Sequence, residues 1–511
     1  MKNLKIKNVD EMTVDELIGQ LIMVGLPTTY LDEEYKELIK KYKIGNYILF
    51  ARNYSDTNQM KSFMKELYEY TNKITNSFPL VSIDQEGGMV VRLFKDVTFP
   101  ASPLTTSASS ISDAPYKTGY IIGKDMMKLG LNLNLAPCLE INEELSNPLV
   151  NIRGYGAHKE LVLKNASRFV KGIQDSGALS CIKHFPGAGS STKDSHLELP
   201  IITESKEYLT TNNMYPFLHL LESDAIMSSH DLYESFDNLP CTLSKIMLTD
   251  LLRKQYNYKG LIISDGMEMK AIFDHYGMGK GTVMALNAGC DILLVCHDYE
   301  YQVEAFESIK QAIKNNELSI DLIKEKVRRI NKAKEKVLDG LNKYFSDESY
   351  VINEEEHNLM ENIVDESYTL ILGTEPVLKE NSLIISAEVK VASIVEDEFD
   401  TRNLTLALKK NLKNIDIVDF SNVSLENIGN YDNIIIYSYD AYNDEKQLNI
   451  INEILKLEKE VFVISLKGPI DKNYFMNLKN YSCLYEYTPN SIKTIIKQLN
   501  KKIALNGKLP L

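Results

Sequence analysis

Asp265 closes a buried apolar run in YKGLIISDGMEMKAI (258–272), where Gly266 and then a helical stretch follow it. A carboxylate at the end of a strand is held rigidly and suits a nucleophile, although an Asp in front of a helix also serves as its N-cap. The loop HFPGAGSSTKDSHLELP (184–200) is rich in Gly, Pro, Ser and Thr, and loops of that length are usually functional. Within it Asp194 and His196 stand two residues apart. A carboxylate that accepts from one imidazole nitrogen orients the ring and raises its basicity, so His196 fits a general acid/base, and a solvated surface pair is the plainer reading. In VSIDQEGGMVVRLF (81–94), Asp84 and Glu86 precede two glycines and Arg92 follows. A short carboxylate beside glycines lets a polyhydroxylated ligand approach closely, or it simply stabilises a turn. Lys183 and His184 end another apolar run side by side, and Arg153 lies in the glycine-containing NIRGYG. Together these basic donors and an acidic acceptor describe a site for a neutral polar ligand.

Such residues need a scaffold, and the chain supplies one. Eight short runs with the β-branched bias of buried strands punctuate its first two thirds: 19–26, 45–50, 80–86, 131–141, 178–187, 225–231, 260–266 and 290–296. Amphipathic stretches of helical period separate most of them, as at 58–75, 159–173, 243–255 and 301–313. Eight strand–helix units in series predict a (β/α)8 barrel, with a doubly wound open sheet as the alternative. In a barrel, function collects where strands end. Asp84, Glu140, Lys183 with His184, His230, Asp265 and His297 all fall at or just past the ends of these runs.

A lysine-rich helix over 322–338 is followed by an acidic, polar stretch. This predicts a catalytic barrel domain over 1–345, a linker over 346–366 and a C-terminal α/β sandwich domain over 367–511. Runs at 383–386, 415–420, 433–439, 461–466 and 482–487 predict a mostly parallel open sheet in the second domain. At about 150 residues per domain, 511 residues suit this arrangement.

Composition excludes several classes of function. The net charge of -14 shows no segregated basic patch, which speaks against nucleic acid and anionic membrane as partners. The charged N-terminus lacks an export signal, and no apolar run approaches the roughly 18 residues needed to span a bilayer, so a cytoplasmic location is expected. The six cysteines show no C-x-x-C pair and read as reduced buried thiols. His158, His219, His275 and His357 lack metal-ligand spacing, so neither a metal nor a cofactor is expected. The 184–200 loop lacks P-loop spacing, and GMGKG (277–281) follows a helical run and is no dinucleotide fingerprint.

Six ordered blocks, IDQEGGMVVRL (83–93), LAPCLEIN (135–142), NPLVNIRGYG (147–156), IKHFPGAGSSTKDSHLELP (182–200), IMSSHDLYESFDNLPCTLS (226–244) and YKGLIISDGMEM (258–269), resemble family 3 glycoside hydrolases, specifically the β-N-acetylhexosaminidase branch. SLKGPIDKNYF (465–475) and NGKLP (506–510) extend the resemblance over nearly the whole chain. The K-H-F-P-G-x-G-x-x-x-x-D-S-H pattern marks the branch that uses a histidine acid/base in place of a glutamate. The resemblance implies a retaining, exo-acting β-N-acetylglucosaminidase on small glycosides, with Asp265 as nucleophile and His196, oriented by Asp194, as acid/base. It further implies that Asp84, Arg153, Lys183 and His184 bind the terminal N-acetylglucosamine ring, with Arg92 in support. Three positions depart from the family pattern: Ala188 replaces a histidine, Glu140 an aspartate and Gly266 an aspartate. Phosphate as acceptor in place of water, a β-glucosidase specificity, and a non-catalytic sugar-binding role are the alternatives.

Overall fold

The computed structural model describes residues 4–142, 150–187, 197–346, 348–387 and 403–510. Eight parallel strands close into a barrel: β1 (Ile22–Gly25), β2 (Asn46–Leu49), β3 (Leu80–Ile83), β4 (Leu133–Asn134), β5 (Leu179–Phe185), β6 (Ala225–Ser228), β7 (Leu261–Gly266) and β8 (Ile292–Val295). Each coincides with one of the eight apolar runs, and the interior filling is largely Ile, Leu, Val and Met. The ring closes where β1 pairs with β8, Ile22 opposite Leu293. There the chains approach so tightly that a Cβ on Gly25 would sit 1.8 Å from the Cys296 carbonyl oxygen.

Two runs are shorter as strands than expected. Residues 19–21 complete the helix Val14–Leu21, which starts at a capping box in which Thr13 and Glu16 exchange side-chain and backbone bonds. The 131–141 run is regular strand only over β4, then continues past Pro137, which has no amide hydrogen to donate, as extended chain whose Cys138 still bridges Lys183.

A second sheet of six strands follows: β9 (Thr369–Leu372), β10 (Ser382–Ser386), β11 (Asp416–Asp419), β12 (Asn433–Ser438), β13 (Glu460–Ser465) and β14 (Asn480–Cys483). Its order is β9-β14-β13-β12-β10-β11, parallel throughout except for the antiparallel edge strand β9. The interval expected to be a linker contains the helix Glu354–Asp365, whose Met360, Ile363 and Val364 join the core of this sheet. The same core takes in Met89, Ala101, Leu104, Ala108, Ala114, Ile121 and Ile152 from the barrel half of the chain. Polar contacts reinforce the junction: Ser102 N donates to Glu486 Oε2 at 2.8 Å, and Asn490 Nδ2 to the Phe99 carbonyl at 3.2 Å.

Candidate active site

Asp84 follows β3 directly, Cys138 and Glu140 follow β4, and Lys183 and His184 are among the last residues of β5. His230 follows β6, Asp265 is the penultimate residue of β7, and His297 follows β8. All therefore gather at the C-terminal face of the barrel, as their places in the sequence led one to expect.

Lys183 lies at the centre of a chain of ion pairs. Its Nζ is 2.6 Å from Asp84 Oδ1 and 2.7 Å from Glu86 Oε1. Glu86 is also gripped by Arg153, which donates from Nε to Oε2 and from Nη2 to Oε1, both at 2.8 Å. This fork is the bidentate geometry in which a guanidinium binds a carboxylate most strongly. The Glu86 side chain is 1% exposed. Burial by itself would raise its pKa, but the Arg153 and Lys183 charges overcome that and hold the carboxyl well below the usual range. Lys183 is likewise buried, which would lower its pKa, and Asp84 and Glu86 keep it firmly charged. The turn carrying Asp84 and Glu86 depends on two glycines in the left-handed region, Gly87 at φ 105° and Gly88 at φ 62°.

His184 links this charge network to Asp265. Its backbone N donates to Glu140 Oε1 at 2.8 Å, and its Nδ1–H donates to the same oxygen at 2.7 Å. Nε2 is thereby turned toward Asp265 Oδ2, 3.9 Å away. The Cys138 thiol donates to the other Glu140 oxygen at 2.6 Å. Burial, opposed by the His184 charge and these hydrogen bonds, leaves the Glu140 pKa lowered, whereas burial and the Glu140 charge push the Cys138 thiol up. Asp265 and His184 are each 22% exposed, unlike the deeply buried groups behind them. Gly266 N donates to Asp265 Oδ1 at 2.7 Å, and His230 Nε2 donates to the Gly266 carbonyl at 2.9 Å, which fixes the end of β7.

Of the residues singled out in the sequence, Asp84, Lys183, Arg153, His184 and Asp265 thus converge. Arg92 is buried just beyond, with its backbone N on Gln85 Oε1 at 2.9 Å. Asp194 and His196, and with them Ala188, lie outside the described residues. Sequence reasoning saw Glu86 only as a neighbour of Asp84, because its partners are 67 and 97 residues away. Glu140 stands in the sequence as a strand-end carboxylate that departs from the family pattern, and its hold on His184 is not legible there. Glu268 also went unremarked, although its buried carboxyl accepts from the backbone N of Cys296 and of His297 beside the site. The i, i+2 spacing of Cys138 and Glu140 was the available signal that both face one side of an extended chain.

A carboxylate at a strand end, next to an ion-paired aspartate and an imidazole, equips the mouth to grip hydroxyl groups and attack an electrophilic carbon. Residues 13–333 match the family described as glycosyl hydrolase family 3 N terminal domain. A β-hexosaminidase A of Pseudoalteromonas piscicida is 30% identical over 371 residues, 64% of this chain and 62% of that protein. The chain therefore matches somewhat under two thirds of that relative's length. A β-hexosaminidase of Tolumonas auensis is 31% identical over 283 residues, 54% of this chain and 83% of the relative. Among solved structures, a glycoside hydrolase family 3 β-N-acetylglucosaminidase from Paenibacillus superimposes with a TM-score of 0.90 at 30% identity, covering 98% of both chains. A β-glucoside phosphorylase superimposes with a TM-score of 0.81 at 19% identity, a likeness of fold alone. With the family match running over well more than half its length, the chain belongs to glycosyl hydrolase family 3.

Proposed function

We propose that the protein is a retaining, exo-acting β-N-acetylglucosaminidase that releases terminal β-linked N-acetylglucosamine from small glycosides. The carrying observation is the convergence of Asp265 with Asp84, Lys183, Arg153 and His184 at the barrel mouth. Likeness over nearly the whole chain to an enzyme titled a β-N-acetylglucosaminidase supports the choice of sugar. In this reading residues 1–345 form the catalytic unit, and the reaction serves cell-wall or chitooligosaccharide turnover in the cytoplasm.

Asp265 attacks the anomeric carbon while His196, oriented by Asp194, protonates the leaving oxygen, giving a covalent glycosyl-enzyme that water then opens. An imidazole with an ordinary pKa of about 6.5 gives a proton in the first step and takes one in the second near neutral pH. Asp84 accepts from ring hydroxyls, and its pairing with Lys183 holds it in place. Arg153 acts through Glu86, which in turn sets the position of Lys183.

The deciding assay compares aryl β-glycosides of N-acetylglucosamine, glucose and xylose, with and without phosphate, and follows the first-formed anomer of the product by NMR. Preference for the N-acetylglucosaminide with release of the β-anomer of the free sugar is the expected result. Better cleavage of the glucoside, or a sugar phosphate as the main product, would overturn the specificity or the acceptor respectively.

A further inference from the structure

Behind His184 lies a group of donors that the glycosidase reading does not use. Cys138 and Glu140 alternate along the extended chain after β4, whose Cys138 bridges Lys183 in parallel fashion and whose Leu139 N donates to the Lys183 carbonyl at 2.7 Å. Alternation sends both side chains to the same side, toward His184. One sulfur, one carboxylate oxygen and one imidazole nitrogen then lie within 4.8 Å of one another. Among the described residues this is the single group of three or more His, Cys, Asp or Glu side chains drawn together so closely.

We infer that Cys138, Glu140 and His184 form a site for a thiophilic divalent ion such as Zn2+, and that filling it switches the enzyme off. The donor set selects the ion: a thiolate and an imidazole with one carboxylate suit Zn2+, Co2+ or Cd2+, whereas Mg2+ and Ca2+ take oxygen donors. Three protein ligands leave a fourth position for water. Cys138 and Glu140 are buried, and His184, the partly exposed member, marks the side from which an ion enters. On binding, the ion displaces the thiol proton, which leaves to solvent, and takes His184 Nδ1, the neutral imidazole then carrying its proton on Nε2. Glu140 then no longer orients His184, whose Nε2 faces Asp265 Oδ2 at 3.9 Å. Such a site is not legible in the sequence, because its third ligand is 44 residues from Glu140 and the C-x-E spacing matches no familiar metal motif.

The inhibitory half of this inference rests on the proposed glycosidase activity, whereas the binding half does not, so cobalt spectroscopy comes first. Metal-free protein titrated with Co2+ is expected to develop a thiolate-to-cobalt charge-transfer band in the near ultraviolet that saturates at one ion per chain. Absence of the band would overturn the site whatever the enzyme's substrate. Cys138→Val removes the sulfur at nearly constant volume and leaves the Glu140–His184 pair intact. It should lose the band, keep its turnover within a few-fold, and need about tenfold or more Zn2+ for half-inhibition. A band that persists in Cys138→Val would place the ion on another cysteine, and unchanged zinc inhibition would place it elsewhere in the mouth; either result refutes the proposal. Should Cys138→Val fail to fold, Cys138→Ser provides the same comparison with a smaller change. Chelation with EDTA should restore activity to the wild type in step with loss of the cobalt or zinc.

Discussion

On the proposed reading Asp265 carries the chemistry and Glu86 supports the site, and their substitution should separate the two. Asp265→Ala removes a partly exposed strand-end carboxylate that fills no core, so turnover should vanish while the melting curve stays where it was; loss below tenfold would remove the nucleophile assignment. His196→Gln should cost about 10²–10⁴-fold on a natural disaccharide, and less as the leaving group becomes more acidic. Equal loss on all leaving groups would make His196 a binding or loop-ordering residue. Glu86→Gln leaves Lys183 and Arg153 buried with one anion too few, a change that typically costs about 3–5 kcal/mol. Because Glu86 has a folded-state pKa held far below its ordinary value of 4.5, its contribution is present above that pH and is lost as pH falls below it. Acid unfolding curves should therefore show a shallower fall below pH 4.5 in Glu86→Gln than in the wild type. At this scale the sequence disclosed the groups that stand at strand ends, Asp84, His184 and Asp265. It did not disclose those defined by long-range pairing, since the partners of Glu86 are fixed only when β3, β5 and the turn after β4 meet.

The elements were more legible than the contacts between them. Eight buried runs with helical stretches between them are a local, periodic signal, and all eight became barrel strands. The boundary at residues 19–21 was misread although T-V-D-E at 13–16 carries the capping-box spacing. The edge strand β9 was missed because four residues, half of them partly exposed, make too short a pattern. The helix Ile320–Tyr344 shows what periodicity hides, for it reads as an amphipathic lysine-rich helix yet buries Lys334 completely. Lys334 Nζ donates to Gln20 Oε1 at 2.7 Å, and burial lowers its pKa to about 7. In the unfolded chain the same group titrates near 10.5, so between pH 7 and 10.5 the unfolded state binds more protons than the folded one and stability rises with pH. The burden is greatest below pH 7 and is relieved toward pH 10.5. Lys334→Met should flatten urea-unfolding stability across that range, removing a slope of at most about 1.4 kcal/mol per pH unit. An unchanged slope would show that Lys334 stays charged in the folded protein.

At the scale of the whole molecule, the second sheet is tied to the barrel through a shared core, and this the sequence did not foretell. Met89, Ala101, Leu104 and Ile152 sit on barrel segments but bury themselves with Ile384, Ile435 and their neighbours. Their periodicity in the sequence is that of any apolar residue in a loop or helix, and only the docked domain reveals what covers them. Ile152 directly precedes Arg153, and a Cβ on Gly468, just past β13, would lie 3.3 Å from Asn151 Oδ1. The turn that aims Arg153 at Glu86 is thus backed by the second domain, whereas Asp265 and β7 stand on the barrel's own core. Deleting residues 367–511 should accordingly do two things. It exposes a contiguous apolar face, so the barrel alone should aggregate at concentrations at which the full chain is clear. Whatever remains soluble should lose binding more than chemistry, with KM for an aryl N-acetylglucosaminide raised well beyond the fall in kcat, because the Arg153 turn loosens while the nucleophile stays put. A gentler version, Glu486→Ala, removes the acceptor for the Ser102 amide without unfolding either sheet. It should lower the thermal midpoint and shift KM in the same direction, and a truncated barrel with wild-type kcat and KM would show that the second domain has no part in setting the site.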